Sequence, residues 1–300
     1  MKTLVLLSSY NGERFLREQL DSLLSQTLDG MEILVQDDGS TDATASILEE
    51  YADRGSLRWY SGENLGSSRS FWRLLMDCGD TDYYAFCDQD DVWDADKLEI
   101  AAAALEKLDA GIPALYCGDV RVTDAGLHVT AKHMVRSEPA DFPHALIRNL
   151  SPGCTYVFNR AAKELLCRFY AERLGIELCD WTAYQIIACF GRIIFDSEPH
   201  MSYRQHSGNV IGAADKSVKA RLQKVRSFWN GSKRNSRSRQ ALRLERAYGD
   251  VMSPDNRELT ALYAHYRENK AVKTKLLKEQ RNLNGKDRFL FRMAILLNRL

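Results

Sequence analysis

No run in this chain approaches the roughly 20 apolar residues that span a bilayer. The N-terminal run, TLVLL at residues 3–7, is shorter than the about 7–15 apolar residues of a secretory leader core. The first absence argues against a helical membrane protein and the second against a secreted one, so the expectation is a soluble or peripheral chain. Its seven cysteines include no C-x-x-C pair and no framework-like spacing, which excludes a disulfide scaffold and favours reduced thiols in the cytosol. Neither an internal repeat nor a low-complexity linker is present. Net charge is also absent, with 41 basic and 41 acidic residues, but the balance is uneven along the chain. Residues 215–300 hold 22 lysines and arginines against eight acids, so the first 214 residues are as acidic as the last 86 are basic.

What is present is a rhythm. TLVLL is followed by the polar loop SSYNGE and by ERFLREQLDSLLSQT, whose Phe15, Leu16, Leu20, Leu23 and Leu24 recur at helical spacing. MEILVQ, DDGSTD and ATASILEEYADR repeat the order, as do LRWY, SGENLGSS and RSFWRLLMDC, and then DYYAFC, DQDDVWD and KLEIAAAALEKL. Four strand-loop-helix units in succession predict an α/β fold with a mainly parallel central sheet covered on both faces. In such sheets ligands bind beyond the carboxyl ends of the strands, so the four loops should face one crevice. PALYCGDVRV, CTYVFNR and RIIFDSEPHMSYRQ predict further strands, some of them antiparallel, with AAKELLCRFYAER and DWTAYQIIACFG as helices. Beyond a loose boundary near residue 215, VKARLQKVRSFW and the segment 269–300 read as basic amphipathic helices.

Acids crowd the fourth loop. Asp88 and Asp90, two residues apart at a strand end, project to the same side and repel unless a cation joins them. Hard oxygen ligands of this kind suit Mg²⁺ or Mn²⁺. Asp91, Asp94 and Asp96 read as solvated or helix-capping acids. In the second loop, Asp37 and Asp38 are not needed for a cap, and can accept hydrogen bonds from a base imide or a ribose hydroxyl.

The ordered set LSSYNGERFLREQLDSLLSQT, VQDDGSTDAT, ENLGSSRSF and FCDQDDVWDADKL resembles family 2 glycosyltransferases with the GT-A fold, a Rossmann-like architecture. SPGCTYVFNR and LCDWTAYQIIACFGRIIFDSEPHMSYRQHSGNVIGA are similar to the bacterial rhamnosyltransferase-like branch, which builds surface polysaccharide, and the match covers about residues 3–214. The resemblance implies that Ser8, Tyr10 and Asp38 hold the nucleotide, that Asn64 and Gly66 belong to the loop closing over it, and that Asp90, with Asp88 nearby and His206 completing the shell, binds Mn²⁺ or Mg²⁺. Arg204 and Gln205 would lie beside the diphosphate. Asp180 matches the catalytic base, with Trp181 and Gly153 beside the acceptor. Cys179 departs from relatives that carry His or Glu before this acid, and a thiol neither holds a charge nor donates well there.

Bland alternatives stand beside these roles. Asp180 opens an apolar helix, where Asp is an ordinary N-cap. His206 can be a surface or core histidine, Gly153 and Cys154 a simple turn, and Trp72 and Trp93 packing residues. The function implied is an inverting, metal-dependent transfer of a sugar, L-rhamnose from dTDP-β-L-rhamnose in preference to a UDP-hexose, onto a polyprenyl-diphosphate-linked saccharide. Glycoside hydrolysis and non-catalytic nucleotide-sugar or polysaccharide binding are the competing classes. The basic tail suits peripheral attachment to the cytoplasmic face of the membrane, or a homo-oligomer contact, better than nucleic acid, for which no recognition module is present.

Overall fold

The computed structural model describes residues 1–133, 139–171, 179–206, 236–279, 283 and 285–300. The predicted helix at 218–229 therefore lies outside the described residues. The chain divides into two compact units, Met1–Asp141 with Asn149–Ala213, and Phe142–Arg148 with Ala214–Leu300.

The first unit is built on a seven-stranded sheet. Its strands are β1 (Thr3–Ser9), β2 (Met31–Asp37), β3 (Arg58–Ser61), β4 (Tyr83–Asp88), β6 (Ala114–Gly118), β9 (Val157–Asn159) and β10 (Arg192–Asp196), in the spatial order β10-β6-β9-β4-β1-β2-β3. Every pairing is parallel except those of β9, which runs against both β4 and β6. Burial is nearly continuous along β1 and β4, as expected of strands covered on both faces. Helices α1 (Leu16–Leu24), α2 (Thr44–Asp53), α3 (Ser67–Asp77) and α4 (Lys97–Leu105) follow the first four long strands. In α1 the buried Leu16, Leu20 and Leu23 form one stripe, and in α3 Phe71, Trp72, Leu74 and Leu75 do the same. Later come α6 (Arg160–Ala171) and α7 (Cys179–Phe190), after the short α5 (Phe142–Ala145) of the second unit.

Strand order reverses at β1, whose neighbours β2 and β4 lead away on opposite sides. The crevice at such a switch point is where open α/β sheets bind ligands. Register places Ser8 opposite Asp88 on one side and opposite Gln36 on the other, with Ser9 opposite Asp37, so the first, second and fourth loops leave the sheet at one level.

Two of the predicted strands are each two strands in different sheets. PALYCGDVRV breaks after Gly118, and RIIFDSEPHMSYRQ breaks after Asp196. Their second halves, β7 (Arg121–Thr123) and β11 (Met201–Arg204), join β5 (Val92–Trp93) and β8 (Val129–Ala131) in a small sheet of order β5-β11-β7-β8. The break is shared: the Asp119 N–H donates to the Asp196 carbonyl where both chains leave the large sheet.

The second unit is helical among its described residues: α8 (Ser236–Tyr248), α9 (Pro254–His265), α10 (Lys270–Glu279) and α11 (Gly285–Leu296). The long basic segment predicted as helical is thus two helices, α10 and α11. Ser253 caps α9, its Oγ accepting from the Asn256 N–H at 3.3 Å, with Pro254 at the first helical position.

Candidate active site

The site forms where β4 ends. Asp88 closes the strand and Asp90 follows in the turn, its Oδ2 2.7 Å from His206 Nε2. The small sheet brings these together. Antiparallel pairing sets Met201 opposite Trp93 and Ser202 opposite Val92, and the same register continued sets Arg204 beside Asp90. The Arg204 N–H donates to Asp91 Oδ1 at 3.0 Å and its Nε to the Asp90 carbonyl at 2.7 Å. Other guanidinium nitrogens donate to the Ala125 carbonyl at 2.7 Å and to the Glu18 carboxylate, and the group lies over the Phe15 ring, 4.5 Å from its centroid. The His206 ring packs on the same Phe15, centroids 4.7 Å apart. Arg204 is therefore buried and holds the acidic turn.

Asp91 is fully buried rather than solvated, and its Oδ2 has no hydrogen-bond partner among the described residues. Asp94 is paired with Arg121, Nη1 to Oδ2 at 2.8 Å, and Asp96 stands at the N-cap of α4 without a side-chain cap bond. Beneath the turn Lys97 is 2% exposed, with its Nζ 3.1 Å from the Trp93 ring centroid; burial drives it down to about 7. Burial, then the charges of Asp90 and Asp180, push Asp88 up to about 7.

Asp180 enters from the first turn of α7. Asn149 Nδ2 donates to its Oδ2 at 2.9 Å, the Trp181 N–H to its Oδ1 at 2.7 Å, and the Gly153 N–H also reaches it. Burial raises its pKa and these three donors hold the rise in check. Gly153 has a steric reason to be glycine, since a Cβ there would stand 2.7 Å from Asp180 Cβ. The next residue, Cys154, directs its thiol to Asp88 and Asp91. One dipeptide thus touches the acid of α7 on one side and the acids of β4 on the other, which places Asp180 and Asp88 at a common site. The side chain of Cys179 is outside the described residues. Trp181, expected beside the acceptor, is 7% exposed, and Trp72 and Trp93 are buried as packing residues.

The loops after β1, β2 and β3, where the resemblance sets the nucleotide, are cross-linked. Asp38 accepts the N–H groups of Leu65 and Gly66, both at 2.8 Å, so it clamps the third loop, where exposed Asn64 and Gly66 lie; Gly66 has φ +79°, which favours glycine. Asp37 is buried among Ser40 and Ser61, its Oδ2 accepting from Ser61 Oγ at 3.0 Å, and is spent on the loop itself. Ser8 Oγ donates to Ser70 Oγ at 2.7 Å, and the Tyr10 side chain is exposed. The Gln205 N–H donates to the Thr123 carbonyl. Sequence reasoning missed Gln89. Its Oε1 accepts from Ser9 Oγ at 2.7 Å and from the Tyr10 N–H at 2.8 Å, and its Nε2 donates to the Tyr10 carbonyl at 3.0 Å. A usable signal existed: if Asp88 and Asp90 share one side, the residue between them faces the other, toward β1.

The donor set fits a divalent cation. Asp90 Oδ2 and His206 Nε2 stand in contact, with Asp88 two residues before Asp90, an oxygen and nitrogen donor set of the kind a divalent cation takes, and the raised Asp88 marks a cluster of acids short of positive charge. The described residues whose ligand atoms gather within 4.8 Å of one another are Asp88, Asp91 and Cys154, and Asp94, Asp96 and His200; in the first set burial pushes the Cys154 thiol well up, and a protonated thiol does not ligate a hard cation.

The sequence model of Glycosyl transferase family 2 matches residues 4–166. The chain is a family 2 glycosyltransferase. The dTDP-rhamnosyl transferase RfbG of Shigella flexneri is 30% identical over 243 residues, 74% of this chain and 80% of that protein. An uncharacterized glycosyltransferase of Rickettsia prowazekii is 28% identical over 76% of this chain and 70% of its own length. Among solved structures, residues 1–349 of Staphylococcus aureus TarS in complex with UDP-GlcNAc superpose with TM-score 0.59 at 17% identity, covering 99% of this chain and 88% of that one. The mannosyltransferase PcManGT of Pyrobaculum calidifontis, in complex with GDP-Man and Mn²⁺, gives TM-score 0.52 at 19% identity over 98% and 80% of the two chains. The glycosyltransferase accordingly has the GT-A fold that the resemblance implied, with helices after it in the chain.

Proposed function

We propose that this glycosyltransferase transfers L-rhamnose from dTDP-β-L-rhamnose, with inversion, to a hydroxyl of a polyprenyl-diphosphate-linked saccharide, at the cytoplasmic face of the membrane. The observation carrying the reaction type is the Gly153–Cys154 dipeptide between Asp180 and Asp88, which sets one hydrogen-bonded acid across from an acidic cluster. The rhamnosyl donor rests on the likeness to the Shigella flexneri enzyme.

In this reading the loops carrying Ser8, Tyr10, Asp38, Asn64 and Gly66 bind the nucleotide, and Gln89 fixes the first of them relative to the acidic turn. Asp88, Asp90 and His206 would hold Mn²⁺ or Mg²⁺, which supplies positive charge against the departing diphosphate. Asp180 takes the proton from the acceptor hydroxyl at its carboxylate as that oxygen attacks the anomeric carbon, a contribution of roughly 10²–10⁴-fold for a placed base. Asn149 and Gly153 orient it, and burial makes it the stronger base. A single displacement of a β-linked donor gives an α-L-rhamnoside.

A panel of nucleotide sugars, with and without Mn²⁺, scored for nucleoside diphosphate release onto a lipid-linked acceptor, tests the proposal. dTDP-β-L-rhamnose should be the preferred donor, activity should vanish with a chelator, and Asp180→Asn should lose about 10²-fold or more while binding dTDP normally. Preference for a UDP-hexose overturns the donor, and full turnover by Asp180→Asn overturns the base.

A further inference from the structure

Helix α11 has two apolar faces where a surface helix needs one. Phe291, Ala294 and Ile295 are buried within the second unit. On the opposite side Phe289 (64% exposed), Leu290 (55%), Met293 and Leu296 (52%) form a stripe continued by Leu297 just past the helix end. The spacing 289, 293, 296 with 290, 297 is that of a single helical face. Stripes of this extent on a soluble surface mark an interaction site.

Charge decides what covers it. Residues 285–300 contain four basic residues, Lys286, Arg288, Arg292 and Arg299, and one acid, Asp287. That acid is turned inward, its Oδ2 3.2 Å from Arg148 Nη2, with only 15% of its side chain exposed. Arg288 and Arg292 are exposed along one flank of the stripe, and Lys273 Nζ lies at its C-terminal end, 3.0 Å from the Leu296 carbonyl and from Asn298 Oδ1. The outward charge of α11 is thus of one sign. A second copy would bring an equally basic rim against this one, whereas an anionic bilayer offers apolar chains below a negative surface and meets both features together.

We propose that the exposed stripe of α11, Phe289, Leu290, Met293, Leu296 and Leu297 with its basic flank, is a docking surface for anionic phospholipid, into which the helix lies parallel to the membrane plane. This inference rests on the lipid-linked acceptor proposed above for its purpose, and the surface can be read without donor or acceptor.

The test is flotation of the full chain with vesicles of phosphatidylcholine alone or with phosphatidylglycerol added. The parent should float with the anionic vesicles at least about tenfold better than with the neutral ones, and high salt should release it. Phe289→Ser with Leu296→Ser should lower partition about tenfold or more, and Arg288→Glu with Arg292→Glu should do so on anionic vesicles only. Both pairs lie on the surface, so unchanged circular dichroism and thermal midpoint separate lost docking from lost fold. Turnover of a short soluble acceptor should stay at the parental rate in both. The proposal is overturned if the parent floats with neither vesicle, if the variants float as the parent does, or if the parent sediments as an oligomer that the serine pair dissociates, which would make the stripe a contact between copies.

Discussion

Replacing Gly153 by alanine tests the geometry of the proposed base, Asp180, without touching its chemistry. The new Cβ would stand 2.7 Å from Asp180 Cβ, 3.7 Å from its Cγ and 3.8 Å from its Cα. Ordinary carbon contacts lie near 3.5–4.0 Å, so Asp180 and Gly153 must separate by about 1 Å. The backbone itself is no obstacle, because Gly153 is not among the residues with positive φ. Retreat of Asp180 stretches its bond to the Gly153 N–H and strains the 2.9 Å bond from Asn149. Overpacking of this kind costs about 1–3 kcal/mol of stability, and a 1 Å misplacement of a reacting group costs about 10²-fold in rate. We expect kcat to fall by about 10²-fold, dTDP affinity to hold within about twofold because the proposed nucleotide loops leave β1, β2 and β3, and the urea midpoint to drop modestly. Steady-state kinetics, calorimetric titration with dTDP and urea denaturation read the three quantities. A Gly153→Ala enzyme with kcat within about threefold of the parent would refute the reasoning, since Asp180 would then tolerate displacement that no general base tolerates.

Gln89→Ala should weaken dTDP binding about tenfold, because it frees the Ser9 hydroxyl and both backbone groups of Tyr10. Gln89→Glu should weaken it at least as much, having lost the donor to the Tyr10 carbonyl, and parental affinity in both variants would remove Gln89 from the site. Mn²⁺ binding should depend on pH through Asp88, whose pKa is pushed up from 3.8 to about 7. A carboxyl raised on folding stabilises the metal-free fold below about pH 4, and this contribution is lost as pH rises through about 7. The cation must displace that proton, so apparent Mn²⁺ affinity should fall up to about tenfold per unit below pH 7 and level off above it, with about one proton released per ion near pH 6. Titrations in buffers of different ionisation enthalpy measure the release, and a flat profile would contradict the assigned ligand.

The first four strand-loop-helix units were readable because their signal is local. An apolar run buried on both faces and a following stripe at helical spacing need no distant partner to be recognised. The break after Asp196 carries a local signal in Ser197, Glu198 and Pro199. The break after Gly118 was not readable, because the residues on either side are equally strand-like and what separates them is the bond between Asp119 and Asp196, made across 77 positions of chain. Segment 142–148 is a similar case, since its membership of the second unit follows from contacts such as the Arg237 Nε bond to the Ile147 carbonyl at 2.6 Å, which nothing within the segment announces.

The same distinction runs through the site. Asp88 and Asp90 could be picked out because paired acids at a strand end carry their chemistry with them, whereas Asp180 and His206 are named only by the resemblance. The residues that aim them are harder to read, because an arginine is informative only once its partner is known, and Gln89 only through the alternation that turns it away from Asp88 and Asp90. Arg204 illustrates the consequence. The resemblance sets it beside the diphosphate, and in the fold its guanidinium donates to the Asp90 and Ala125 carbonyls and to the Glu18 carboxylate. Its place follows from the two-residue ladder of β5 with β11, whose register is fixed by Trp93 opposite Met201, both buried. A slip of one residue would turn Met201 out of the core and carry His206 away from Asp90, so the hydrophobic preference of one methionine holds the candidate metal ligands in register.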